Sequence, residues 1–208
     1  IYAYSRETFI AHQAEGETWP FPGVNNLKLG VWFFLASEVI FFGALVASYL
    51  FVRSNSVSWT FEGHAIAGEI LKIEPGAINT FILLTSSLTA ILALLASRQR
   101  DKRGLIASLA ATFILGFAFL MNKGMEWAEL IHEGFTFSSG LPATSYFLTT
   151  GAHGVHIIGG LVILMYLMIR SIQGYYTKGD SKSIEHFGLY WHFVDIVWVF
   201  LFPLFYLI

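Results

Sequence analysis

The stretch Leu27–Val52 limits what this chain can fold into more than any other. It reads LKLGVWFFLASEVIFFGALVASYLFV, with Lys28 near one end and Arg53 just past the other. About 24 apolar residues at the helical rise cover the hydrocarbon core of a bilayer, roughly 30 Å. One acid lies inside, Glu38, ~16 Å along the helix from Leu27 and so near the midplane. A carboxyl at that depth costs several kcal/mol unless it is paired, protonated or wetted. Phe34, Phe41, Phe42 and Leu45 fall on the same helical face, so its surroundings are aromatic.

The rest of the chain repeats the pattern. Four further apolar segments follow, at about 78–97, 105–131, 145–169 and 189–207, and each is long enough to span. Backbone groups must be satisfied internally in lipid, so five such segments read as helices. The 208 residues are 55% hydrophobic and only 12% charged, against about 25% charged in a soluble domain. The expected fold is all-α, a polytopic membrane protein with a bundle of five transmembrane helices over 27–208. A polar segment, 1–26, precedes it and lacks the apolar run of a secretion signal.

A net charge of −2 gives no pull toward nucleic acid, and the absence of cysteine removes disulfides, thiolate metal sites and iron–sulfur clusters. The loop 98–104, RQRDKRG, holds four basic residues and one acid, and Arg170, Lys178 and Lys182 flank the loop two helices later. Basic loops stay inside, which places the amino terminus in the cytoplasm and the carboxyl terminus outside. The loops 53–78 and 122–144 then face outward, with Glu62, Glu69, Glu74, Glu126, Glu129 and Glu133. The longest loop, 54–77, is broken by Gly63, Gly68, Pro75 and Gly76 and has room for a short helical turn.

Two motifs carry polar chemistry. Segment four holds GAHGVHIIGG, 151–160, with His153 and His156 one turn apart. Two imidazoles at that spacing can chelate a metal, and histidines facing across a bundle can hold haem, but no carboxylate completes a metal pattern. Tight helix contact through the four glycines, with the histidines hydrogen-bonding across it, is the simpler reading. Segment five holds YWHFVDIVW, 190–198, where His192 and Asp195 can pair, and Asp195 is an intramembrane acid counted ~9 Å from Leu189. A tie between helices is favoured for it over a relay. Three functions are thus open: an accessory membrane subunit; a small haem or metal enzyme using His153, His156, His186 and His192; and a carrier with Glu38 and Asp195 as relays, which inverted repeats would mark and which none does.

The ordered set of motifs resembles subunit III of the haem–copper oxidases. The matching pieces are SEVIFF at 37–42, INT at 78–80, the Glu126 region, GAHGVH at 151–156 and YWHFVDIVW at 190–198, and they cover nearly all of 27–208. The resemblance implies a non-catalytic subunit of a proton-pumping terminal oxidase, with cytochrome c oxidase favoured over a quinol oxidase. It implies no catalytic residue, metal or cofactor on this chain. Haems and copper would sit on partner subunits, with subunit I in direct contact, subunit II and further respiratory subunits nearby, and phospholipid held in a cleft. Such a chain would stabilise subunit I and support proton uptake and oxygen access.

The same resemblance makes Glu38 the membrane-embedded acid on the oxygen and lipid route. His156 and Arg170 would bind lipid, and Asn79, Glu126, His153, His192 and Asp195 would form polar contacts between helices. A bacterial cytoplasmic membrane would be the location. Long members of that family have seven helices, the first two forming one wall of the cleft. Here those two are absent, so that wall would be shared with a partner or left open.

Overall fold

A computed structural model describes residues 26–56, 58–178 and 181–208. The polar segment expected over 1–26 lies outside the described residues apart from Asn26, which opens the first helix. Five helices long and apolar enough to cross a membrane occur among the described residues. They are α1 (Asn26–Asn55), α2 (Ile73–Arg98), α3 (Lys102–His132), α4 (Leu141–Ile172) and α5 (Lys182–Tyr206). All five expected segments are helical, and three of them, α2, α4 and α5, begin four to seven residues before their apolar stretch. Helix α5 begins seven residues before Leu189, because Ser183–Gly188 continue the helical face with Ile184 and Phe187 buried. Helices α2 and α4 take in Pro75 and Pro142, near their starts. There the missing proline N–H has no intrahelical partner to lose.

The loop after α1 departs from expectation. Where a helical turn was expected, Thr60–Phe61 (β1) and His64–Ala65 (β2) form a small antiparallel hairpin, with Thr60 opposite Ala65 and Phe61 opposite His64. The two residues between them, Glu62 and Gly63, have φ of 51° and 88°. A two-residue hairpin loop with both central φ positive matches the twist of its strands. Phe61 then packs edge-on against the fully buried Phe135, ring centroids 5.1 Å apart.

The chain divides into two units, Ile1–Val39 and Ile40–Ile208. The described part of the first is the opening half of α1, where Trp32, Phe33 and Phe34 are exposed and the Ser37 hydroxyl donates to the Phe34 carbonyl at 2.6 Å. In the second unit α2 packs on α3 and α5, and α4 packs on α3 and α5, so four helices close a ring. Asp101 joins α2 to α3 tightly by capping α3 and accepting from the Arg103 amide. A short 3-10 helix, Tyr175–Lys178, leads from α4 toward α5.

Trp191 fills the centre of the ring and is fully buried. Its indole lies against two glycines, and a Cβ at Gly116 would come within 2.9 Å of the ring, one at Gly160 within 2.6 Å. Both approaches are closer than carbon atoms tolerate, so α3 and α4 reach α5 only because these positions lack side chains. The other glycines of the 151–160 motif do less of this. A Cβ at Gly154 would meet nothing within 4 Å, and one at Gly151 would approach the Trp127 ring at 3.1 Å.

The second half of α1 belongs to this unit and packs on it through aromatic and polar contacts. Phe42 packs on His156 and Phe193, and Tyr49 packs on Phe205 and donates its hydroxyl to the Leu204 carbonyl. Arg53 bonds to the Tyr49 hydroxyl one turn away.

Candidate functional site

Polar side chains inside the ring gather at two levels. The first lies between α2 and α5. The Ser87 hydroxyl is hydrogen-bonded to Asp195 Oδ2 and sits 2.7 Å from His192 Nδ1. His192 and Asp195, one turn apart on α5, therefore meet through a serine of α2 and not directly. Asp195 is buried, and its Oδ1 has no hydrogen-bond partner among the described residues. The adjacent Ser86 receives the indole N–H of Trp191, one turn before Asp195, at 2.9 Å.

An ion pair gives a point to count from along α5. Arg98 at the end of α2 lies 3.5 Å from Glu185 in the first turn of α5. From Glu185 to Asp195 is ~15 Å along the helix, half the core thickness. Asp195 thus sits near the middle of the span. The shallow depth counted from Leu189 came from starting α5 too late.

The second level lies ~16 Å further along α5, where Tyr206 ends the helix. Lys123 and Glu126 share a face of α3 at one-turn spacing, with Lys123 Nζ 3.2 Å from both carboxylate oxygens. Lys123 also donates to the hydroxyls of Tyr146 on α4, at 2.8 Å, and Tyr206 on α5. Both phenols donate in turn to Glu126 Oε1. An ammonium has three protons, and here they meet a carboxylate and two hydroxyls. The rings of Tyr146, Trp198 and Tyr206 surround the ammonium at 4.9–5.0 Å, within cation–π range. Lys123 is 5% exposed, so this charge is removed from lipid and water alike. Toward the helix end Glu126 lines a recess with Lys72, Glu129 and Glu133, where Lys72 and Glu129 form an exposed ion pair.

The remaining candidates occupy separate places. His153 is buried between the rings of Phe119 and Trp198 and donates from Nε2 to the Val194 carbonyl at 3.1 Å. Asn79 is buried and accepts from Asn122 across the α2–α3 contact at 3.2 Å. His156 bonds through Nδ1 to the carbonyl of Ala152 on its own helix, and Phe42 covers its ring at 5.1 Å. Arg170 stacks on Tyr175 with its guanidinium carbon 4.0 Å from the ring centroid, and its Nε is buried without a hydrogen bond among the described residues. His156 and Arg170 are ~21 Å apart along α4, so they cannot grip the same head group. Glu38 is half-buried in the opening half of α1. Among the described residues no three His, Cys, Asp or Glu side chains converge as a metal-ligand group.

The family model for cytochrome c oxidase subunit III matches residues 3–208. The chain belongs to this family. It is 34% identical over 194 residues to the "Heme-copper oxidase subunit I+III" of Aeropyrum pernix, covering 92% of this chain and 24% of that protein. It is 33% identical over 182 residues to cytochrome c oxidase subunit 3 of Bacillus sp. (strain PS3), covering 88% of this chain and 86% of the relative. A probable subunit 3 of Nocardia farcinica is 32% identical over 88% of this chain and 89% of its own length. The chain thus spans about a quarter of the Aeropyrum protein, in which subunits I and III share one polypeptide, and nearly all of the shorter relatives. A subunit III belongs to an oxidase complex with other subunits, and five membrane-length helices make this one integral to a membrane.

Sequence reasoning on this subunit III found the acids and missed what holds them. Lys123, Tyr146, Tyr206 and Ser87 had no place in it. Lys123 did leave a signal, being the one basic residue between Arg103 and His132 and three residues before Glu126. Ser87 left none, because serine is common in membrane helices and only the α2–α5 register shows which one meets Asp195.

Proposed function

We propose that this subunit III is the non-catalytic, lipid-bearing subunit of a proton-pumping cytochrome c oxidase, seated directly against subunit I. In this reading the redox centres lie on other subunits, and this chain protects subunit I and supports its proton and oxygen supply. The Aeropyrum relative carries the reading. That protein is named as a subunit I and a subunit III in one chain, which keeps the two together. The helices agree with a subunit that has neighbours, since exposed Phe33, Ile40, Phe51 and Phe81 need lipid or protein cover.

Arg170 supports the lipid role. It closes α4 beside Tyr175, at a helix end where a guanidinium can pair with a phosphate. Loop charge orients the chain in a bacterial inner membrane. Arg98, Arg100, Lys102 and Arg103 share one end of the span with Arg170 and Lys182, and that end faces the cytoplasm.

Deleting this chain from the oxidase tests the role. The remaining complex is expected to show normal haem spectra and to start turnover normally, then to lose activity as turnover continues. Full activity sustained through prolonged turnover would refute the protective role. Haem or copper signals that depart with the chain would refute the non-catalytic one.

A further inference from the structure

A proton count singles out the cluster midway along α5. Ser87 makes two hydrogen bonds, to Asp195 Oδ2 and to His192 Nδ1, with one hydroxyl proton. One further proton must therefore lie in the chain, either on Asp195 or on Nδ1 of His192. In the first state Asp195 donates to Ser87 and Ser87 donates to Nδ1, leaving the Nε2 proton of His192 pointing away. In the second state Nδ1 donates to Ser87 and Ser87 donates to an ionised Asp195. The same two hydrogen bonds run in opposite directions in the two states, and with His192 neutral in both the second state also lacks the Nε2 proton and carries one net negative charge.

The surroundings distinguish them. Asp195 Oδ1 is buried with no partner among the described residues, so an ionised Asp195 leaves a charged oxygen bare near the midplane. A neutral carboxyl leaves only a carbonyl there. No other charge reaches the site to offset this. Helix α2 carries no ionisable side chain between Glu74 and Arg98, and α1 carries none between Glu38 and Tyr49. Helix α4 brings His153, already bonded to the Val194 carbonyl, and His156, bonded to Ala152. His192 is partly exposed, which makes its outer ring edge the way in.

We propose that Asp195, Ser87 and His192 form a proton-exchange site, in which Asp195 holds one proton and trades it, through the Ser87 hydroxyl and the His192 ring, with water that reaches the partly exposed edge of His192 in the assembled oxidase. On release, Nε2 gives its proton to water and Nδ1 takes the proton of Ser87. Ser87 is refilled by the proton of Asp195, which becomes a carboxylate. One proton leaves, no other bond changes, and loading runs the same steps backward. A helix tie needs none of this, and an asparagine at 195 would serve it as well. The site is independent of the accessory role proposed above, because it is read on complexes that assemble with their haems.

Infrared spectroscopy of the purified oxidase during transfer from H2O to D2O tests it. Wild type is expected to show a carboxylic C=O band above the amide region that shifts in D2O and is missing in Asp195→Asn. Ser87→Ala and His192→Phe should keep the band and slow its exchange about a hundredfold, the scale of one positioned proton-transfer group. Ser87→Thr, which retains the hydroxyl, should restore the rate. Haem content reports assembly, and should His192→Phe fail to assemble, Ser87→Ala carries the test alone. Absence of any band that depends on Asp195, or wild-type exchange in an assembled blocked variant, would overturn the proposal.

Discussion

Lys123→Met is expected to destabilise the subunit by about 3–5 kcal/mol, the cost of removing one partner from a buried ion pair. The substitution keeps most of the side-chain volume, so a cavity contributes little. What is lost is the charge that neutralises Glu126 and the donor that fills the space between two phenol oxygens. Glu126 would keep two hydrogen bonds, from Tyr146 and Tyr206, but no counter-charge among its contacts within the ring. The contribution of charge is separable. In the double variant Lys123→Met with Glu126→Gln no net charge is buried and an acceptor for the phenols remains, so it is expected to be more stable than Lys123→Met alone. Denaturant unfolding of the detergent-solubilised complex, followed by tyrosine and tryptophan fluorescence, gives both numbers. A loss under about 0.5 kcal/mol for Lys123→Met, typical of a surface position, would show that the cage holds nothing together.

The cage also shows what sequence can and cannot carry in such a chain. Span length and loop charge are one-dimensional, so five helices and their order follow from counting. Their ends did not, because the apolar count stops where polar residues begin while the helix continues. Residues 182–188 are helical because Ile184 and Phe187 bury against the ring, a tertiary contact that hydropathy does not register. The same error misplaced Asp195. Glu126, His192 and Asp195 stood out because ionisable groups are rare at that depth. Their partners are tyrosines and a serine, ordinary in apolar helices, and only the packing of α2, α3, α4 and α5 selects them. Gly160 and Gly154 look alike in the motif, yet a Cβ at one would run into Trp191 and a Cβ at the other would meet nothing within 4 Å.

Trp191→Ala is expected to cost about 3–5 kcal/mol, the range for emptying a large aromatic site in a packed core. Lipid tails are as apolar as the helix interior, so little of this is hydrophobic transfer. It is lost packing between surfaces shaped to the indole, which is the main force between membrane helices. The indole N–H bond to Ser86 goes with it. The converse substitution, Gly160→Ala, pushes a methyl to 2.6 Å from a fully buried ring whose other side meets Gly116. The ring has nowhere to move, so overpacking of about 1–3 kcal/mol is expected. If this fit is the cause, the two changes are coupled. Gly160→Ala in a Trp191→Phe background should cost clearly less than in wild type, because the smaller ring leaves room for the methyl. A double-mutant cycle on the unfolding free energy reads this directly, since contacting residues couple by about 0.5–3 kcal/mol and distant ones do not. Additive costs would mean that Gly160 is small for some reason other than Trp191, and that the ring of helices closes on other contacts.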